Sequence, residues 1–274
     1  MRNVPLAEVD RVPRDVLPIG TDYSPGQQLD WHEHRRAQFL YGATGVMIVE
    51  TDDGAWTVPT EQAVLIPPRT RHRVRMLGVS TSSLYIEPAA VPWWPRACTV
   101  VEVTPLLREL LLAAAGFEPD YDRAGRQGAI ATLLLHELAA LAPMPLHVAL
   151  PTTADLAELC RGYLAEPDAR VTNQDWARRL AMSERAFTRR FQHELGISPA
   201  AWRTRARLLA AVPLLYERTV TQVARQLGYF SPASFTAAFS RAFGVPPSTL
   251  ARSAGSRRAA PPGRDRPERE GQSA

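Results

Sequence analysis

Ser183-Glu-Arg-Ala-Phe187-Thr-Arg-Arg-Phe191, followed by Leu195-Gly196 and Pro199, recurs as Ser231-Pro-Ala-Ser-Phe235-Thr-Ala-Ala-Phe239, followed by Phe243-Gly244 and Pro247. The matched positions are 48 residues apart. Just upstream, Ala177-Arg-Arg-Leu180 matches Ala224-Arg-Gln-Leu227 at an offset of 47, and the one-residue slip falls where a turn belongs. Repetition of this kind marks a repeated supersecondary unit. Apolar residues at i, i+4 and i+8 within each block predict one buried helical stripe. A Ser before each block is suited to cap the helix, and Pro232 takes the first helical position, where a missing N–H costs nothing. Gly196 and Gly244 are placed to end the helices in the left-handed conformation. Thr172 with Asp175, and Thr219 with Gln222, approximate capping boxes that open a preceding helix in each copy. The spacing therefore predicts helix, tight turn and helix, twice, over residues 172–195 and 219–243.

The residues between the apolar anchors point away from the core. In the first copy these are Arg185, Thr188, Arg189 and Gln192; in the second, Ala233, Ser234, Thr236 and Arg241. Charge follows the same division. Residues 152–252 hold 14 Arg and 8 acidic residues, net +6, whereas residues 1–151 hold 13 Arg and 17 acidic residues, net −4. Positive charge concentrated on the duplicated unit is what phosphate binding requires, so double-stranded DNA is the expected partner.

The remaining composition bounds the chain. A length of 274 residues with 45% apolar content accommodates two ordinary domains. Cys98 and Cys160 stand far apart with no CxxC spacing, which points to a reducing compartment without a disulfide framework. Residues 1–20, read as an N-terminal arm, lack the apolar segment of a signal peptide, and no apolar run is long enough to span a membrane. The expected location is the cytoplasm. Residues 253–274, rich in Arg, Pro, Gly, Ser and Glu, are expected to be a disordered tail.

Between about Tyr23 and Glu87 the pattern changes to short alternating runs: 46–50, 55–58, 63–66, 72–76 and 82–86. Thr51-Asp-Asp-Gly54 supplies a hairpin signal. Residues 21–100 are expected to form a small antiparallel barrel or sandwich, giving an α+β chain overall. His32, His34 and Gln38 share parity, so one extended strand would point all three to one face; His72 shares parity with Val74 and Met76 and faces the interior. This set could hold a divalent metal, hydrogen-bond a polar small-molecule effector, or be structural histidines. Residues 101–150 read as a helical dimerisation or linker region, with helices over 104–116 and 125–141. The stripe Ile130, Leu133, Leu134, Glu137, Leu138 and Leu141 serves either as core or as a partner surface, and Pro143, Pro145 and Pro151 mark the linker. Pro199 opens a long helix joining the repeats, and Pro213 is expected to kink it.

Residues 153–252 resemble the DNA-binding domain of the AraC/XylS family of bacterial transcriptional regulators. The resemblance is carried by Ala177-Arg-Arg-Leu180, by Ser183 with Phe187, Phe191 and Gly196, by Val223-Ala-Arg-Gln-Leu-Gly-Tyr229, and by the run from Phe230 through Pro247. Trp31-His-Glu-His34 with Gln38, and Pro67-Pro-Arg-Thr-Arg-His72, resemble the two cupin motifs of the NimR-like branch of that family. Gln38 stands where metal-binding cupins have Glu, and Arg69 where Gly is usual. The resemblance implies that the helices beginning after Ser183 and Ser231 enter neighbouring major-groove segments. Ser183, Glu184, Arg185, Thr188, Arg189 and Arg190 would lie at the DNA in the first copy. Ser231, Pro232, Ala233, Ser234, Thr236 and Arg241 would lie there in the second. Arg is common in the family where Ala237 stands, so the first copy is expected to supply most direct base readout, with the second adding phosphate, methyl and shape contacts. The implied protein is a homodimeric, ligand-responsive, non-enzymatic regulator. The alternatives are a metal-dependent cupin enzyme fused to a DNA-binding domain, and a constitutive DNA-binding protein with a degenerate head.

Overall fold

The structure is a computed structural model that describes residues 4–24 and 26–250. The expected disordered tail, 253–274, lies outside the described residues.

The chain begins with a four-residue helix, α1 (Leu6–Val9), and then enters the strands β1 (Val16–Asp22), β2 (Gln28–His32), β3 (Ala37–Gly42), β4 (Val46–Thr51), β5 (Gly54–Val58), β6 (Gln62–Ile66), β7 (His72–Leu77), β8 (Ser80–Ile86) and β9 (Thr99–Glu102). Helices α2 (Pro105–Ala114) and α3 (Arg126–Ala139) follow, then β10 (Pro143–Met144) and β11 (His147–Ala149). The C-terminal part is helical: α4 (Ala154–Ala165), α5 (Asn173–Arg179), α6 (Glu184–Leu195), α7 (Pro199–Leu214), α8 (Val220–Gln226) and α9 (Pro232–Phe243). The fold is α+β, as the periodicities predict.

Two antiparallel sheets form the head. One runs β1-β8-β3-β6-β9-β10, the other β11-β5-β4-β7-β2. The first is covered on both sides. Leu40, Val64 and Ile66 face the interior of the head, while Phe39, Tyr41, Ala63 and Leu65 pack with Leu107, Leu111, Leu134 and Leu138 of α2 and α3. Cover on both faces explains why β3 and β6 are buried along their whole lengths and are apolar but for Gln38 and Gln62. The second sheet is buried on both faces at β5 and more open on its outer face at β7. In β7, His72, Val74 and Met76 are buried while Arg73 and Arg75 face outward, as parity predicts.

Three expectations need correction. The segment 1–20 is not a separate arm throughout: Val16 to Gly20 open β1 and pair with β8 along its length, because Val16, Leu17 and Ile19 are all buried. The region 101–150 is not wholly helical. Pro143-Met144 pairs with β9, and His147–Ala149 pairs with β5, at the outer edges of the two sheets. Pro143 is tolerated there because an edge strand leaves one row of N–H positions unpaired. His32, His34 and Gln38 do not share one strand: β2 ends at His32 and β3 begins at Ala37. The intervening turn is fixed by Arg36. Its fully buried guanidinium donates to the carbonyls of Asp10, Val12 and Arg14 and pairs with Asp10 and Glu87. A buried charge persists only with such a complement.

The helical part forms where the caps predicted it. Capping boxes are present at Thr172/Asp175 and Thr219/Gln222, and Ser183 and Ser231 accept from the third backbone N–H of their helices. Gly196 and Gly244 end α6 and α9 at φ of 71° and 77°. The first unit closes on Trp176, Phe187, Phe191 and Trp202, with ring centroids 5.8–6.2 Å apart for the pairs in contact. The second closes on Tyr229, Phe235, Phe239 and Phe243. Pro213 falls in the last turn of α7, one residue before its end, so it terminates this helix rather than interrupting its middle.

Candidate nucleic-acid interface and effector pocket

The outer face of α6 is built by periodicity. Phe187 and Phe191 are buried, so residues half a turn away point to water. Glu184, Arg185, Thr188, Arg189 and Gln192 line a shallow open groove on this face. Arg185, Arg189 and Gln192 are exposed and Thr188 is half-buried. Two guanidinium groups one helical turn apart, with a hydroxyl and an amide beside them, offer the donors that guanine and adenine edges accept. Gln192 belongs to this face by the same spacing.

Arg190 stands apart from its neighbours. Its Nη2 and Nη1 donate to Asp155 Oδ1 and Oδ2 at 2.6 and 2.8 Å, and its Nε lies 3.7 Å from Glu194. The guanidinium hydrogen bonds hold the Asp155 carboxyl below its usual range. Arg190 therefore bolts α6 to α4 instead of standing free on the open face. Periodicity alone does not separate Arg189 from Arg190; the partner on α4 does.

The second unit presents a different surface. Pro232, Ala233, Ser234 and Ala237 are exposed and Thr236 is half-buried. Ser231 and Ser234 are spent on the cap: Ser234 N donates to Ser231 Oγ at 3.1 Å, and the Ser234 hydroxyl donates to the Ser231 carbonyl at 2.8 Å. Arg241, also exposed, is a long donor on α9. Phe230, just before the cap, is exposed and was not anticipated.

In the head, the turn after β2 brings the expected side chains together despite the change of strand. His32 pairs with His72 across β2 and β7. The ring centroids are 4.3 Å apart for His32–His72, 5.2 Å for His34–His72 and 6.3 Å for His32–His34. Each Nδ1 faces a backbone carbonyl at 2.7–2.8 Å: Asp30 for His32, Arg36 for His34 and Thr70 for His72. A carbonyl only accepts, so each Nδ1 carries the proton and a neutral ring offers a lone pair at Nε2. Burial depresses the pKa of His34, and that of His72 to about 4, so both are neutral near pH 7.

The Gln38 amide lies 2.9 Å from His34 Nε2 on one side, and 3.1 and 3.3 Å from the Tyr85 and Ser83 hydroxyls on the other. Gln38 Oε1 faces His34 Nε2 and its NH2 donates to the Tyr85 and Ser83 hydroxyls; a neutral His34 protonated at Nδ1 requires the amide turned over, with its NH2 donating to Nε2. Ser83 and Tyr85 share parity on β8, a signal visible in the sequence but not used. His72 Nε2 is buried without a hydrogen-bond partner.

Among the described residues, no group of three or more His, Cys, Asp or Glu side chains is arranged to hold a metal ion. The Nε2 of His34 is taken by Gln38, and His32 sits at the exposed end of its strand.

The head and the helical part meet along a shared seam. Arg205 of α7 donates to the carbonyls of His147 at 2.7 Å, Ala242 at 3.3 Å, and Pro145, and lies over the Phe243 ring. Trp202 Nε1 donates to the Ala149 carbonyl at 2.7 Å, and Thr60 N donates to the Tyr216 hydroxyl at 2.9 Å. A cavity of about 470 Å³ lies between the outer face of the second sheet and helices α4 and α7. Among the described residues, no helix is long and apolar enough to cross a membrane.

Comparisons with known proteins match both halves. The profile of a helix-turn-helix domain matches residues 176–253, and that of a cupin domain matches residues 21–86. The HTH-type transcriptional regulator NimR of Escherichia coli (strain K12) is 28% identical over 218 residues, covering 79% of this chain and 80% of that protein. Among solved structures, ToxT from Vibrio cholerae is similar at 9% identity and a TM-score of 0.37, covering 88% of this chain and 98% of that one. A transcriptional regulator from Chromobacterium violaceum, described among AraC-type DNA-binding domain-containing proteins, covers 38% of this chain and 94% of its own at 22% identity and a TM-score of 0.35.

Proposed function

We propose that this chain, which joins a cupin head to an AraC-type helix-turn-helix domain, is a transcriptional regulator that binds a two-element operator and answers to a small polar effector held in the head. The observation that carries the reading is the exposed α6 face, where Arg185 and Arg189 stand free beside Thr188 and Gln192 while Arg190 is withdrawn to Asp155. Helix α6 supplies the direct base readout, and α9 supplies the weaker, largely apolar contacts.

In the head, the lone pair of His72 Nε2 seeks a hydrogen-bond donor, and the His32 ring next to it lines the same space. An effector bearing an N–H or O–H group meets this need. Strand β11 carries the change outward, because Arg205 reads its backbone and that of α9 at once. A coupling of this kind is typically worth about 1–3 kcal/mol. We further propose a cytoplasmic, non-enzymatic homodimer. Leu106 and Leu112 of α2 and Leu133 of α3 are exposed and support the dimer.

The test is a gel-shift titration on duplexes selected by the protein from a random pool. Arg189→Ala is expected to cost about 1–3 kcal/mol of binding and to relax one base position. An unchanged affinity together with an unchanged selected sequence would overturn the assignment.

A further inference from the structure

Phe230 is the most exposed of the large apolar side chains among the described residues, with a relative exposure of 103%. Single apolar residues on a surface are ordinary; the position of this one is not. It is held between Tyr229, whose ring packs on Phe235 at 5.3 Å, and Ser231, the cap of α9. It therefore stands at the leading end of the second helix of its unit, the end that reaches base edges in helix-turn-helix proteins.

Its surroundings share its character. Pro232, Ala233 and Ala237 are exposed and carry no donor, and the hydroxyls of Ser231 and Ser234 are engaged in the cap. Exposed Arg225 on α8 and Arg241 on α9 give this apolar tip a positive flank. Such a surface suits a polyanion whose recognition feature is itself apolar. In the major groove that feature is the C5-methyl group of thymine, which Phe and Ala side chains contact.

We propose that Phe230, with Pro232 and Ala233, reads thymine methyl groups, so that the second half-element is recognised as A·T pairs by apolar contact rather than by donated hydrogen bonds. The proposal rests on the DNA-binding reading of the two helix-turn-helix units and assigns a base class to the second.

The test uses the full chain and duplexes it selects from a random pool, with thymine replaced by deoxyuridine position by position. Burial of one methyl-sized group is worth ~0.8 kcal/mol, which converts to about a four-fold change in affinity. Wild type is expected to lose about that factor at each contacted thymine of one half-element. Phe230→Ala is expected to bind the thymine duplex as weakly as wild type binds the uracil duplex, and to ignore the replacement there. Phe230→Leu, which keeps an apolar side chain, is expected to retain part of the sensitivity. The salt dependence of Phe230→Ala should match wild type, because no phosphate contact is removed. The proposal is overturned if wild type tolerates uracil at every position, if Phe230→Ala remains as sensitive as wild type, or if its only effect is a lowered thermal midpoint. Failure of wild type to enrich any sequence would instead overturn the DNA-binding reading beneath it.

Discussion

Arg190 and Asp155 meet in a two-point ion pair, 2.6 and 2.8 Å between their paired atoms, that ties the back of α6 to the start of α4. Glu194 reinforces the same corner by accepting from Thr153 N at 3.1 Å. The pair is partly exposed, with side-chain exposures of 30% and 44%, so its worth is modest, about 1 kcal/mol or less. Arg190→Ala is therefore expected to lower the urea midpoint slightly and to weaken DNA binding evenly across sequences, without relaxing any base position. A changed base preference in Arg190→Ala would return this residue to the reading face.

Protonation of the head gives a second prediction. Burial pushes the pKa of His72 from 6.5 to about 4, with the neighbouring His32 and His34 adding smaller repulsion. Between those values the unfolded chain binds a proton that the folded chain refuses. The stability associated with neutral His72 is thus complete above pH 6.5, is lost as the pH falls through the window, and levels off below about 4. The whole change is on the order of 3 kcal/mol. Urea titrations from pH 7.5 to 4 should show a steeper loss for wild type than for His72→Leu. Parallel curves for the two proteins would refute a neutral, buried ring.

Arg205 provides the third. One guanidinium satisfies carbonyls on β11, on the segment before it and at the end of α9. Hydrogen bonds from a charged donor are worth about 1.5–3 kcal/mol each. Arg205→Met keeps the stem and removes the donors. It is expected to lower stability by roughly 2 kcal/mol or more and to separate the melting of head and helical part into two calorimetric transitions. A single transition at the wild-type midpoint would show that the seam does not depend on this residue.

The helical half was largely legible in the sequence because its determinants are local. Thr172 with Asp175, Ser183 with Ala186 and Gly196 at the end of α6 act within one or two turns of the residues they organise. The head was legible as strands but not as a site. Parity placed His72 correctly, yet put His32, His34 and Gln38 on one strand. What joins them is a turn held by Arg36, whose partners Asp10, Val12 and Arg14 lie more than twenty residues away. Phe230 carried no warning, because an aromatic residue beside an apolar helix reads as core until its surroundings are known.

By itself, the amino-acid order determined where each helix starts and stops, which side of it is apolar, and that the unit occurs twice; caps and 3.6-residue periodicity are short-range physics. Only the tertiary structure decided which charges remain available. Arg189 and Arg190 are adjacent, and one is exposed while the other is paired, because Asp155 lies across a packing contact 35 residues away. Long-range juxtaposition also left His72 Nε2 without a partner and placed Arg205 against two elements at once, since contacts of that kind depend on how finished elements pack against one another.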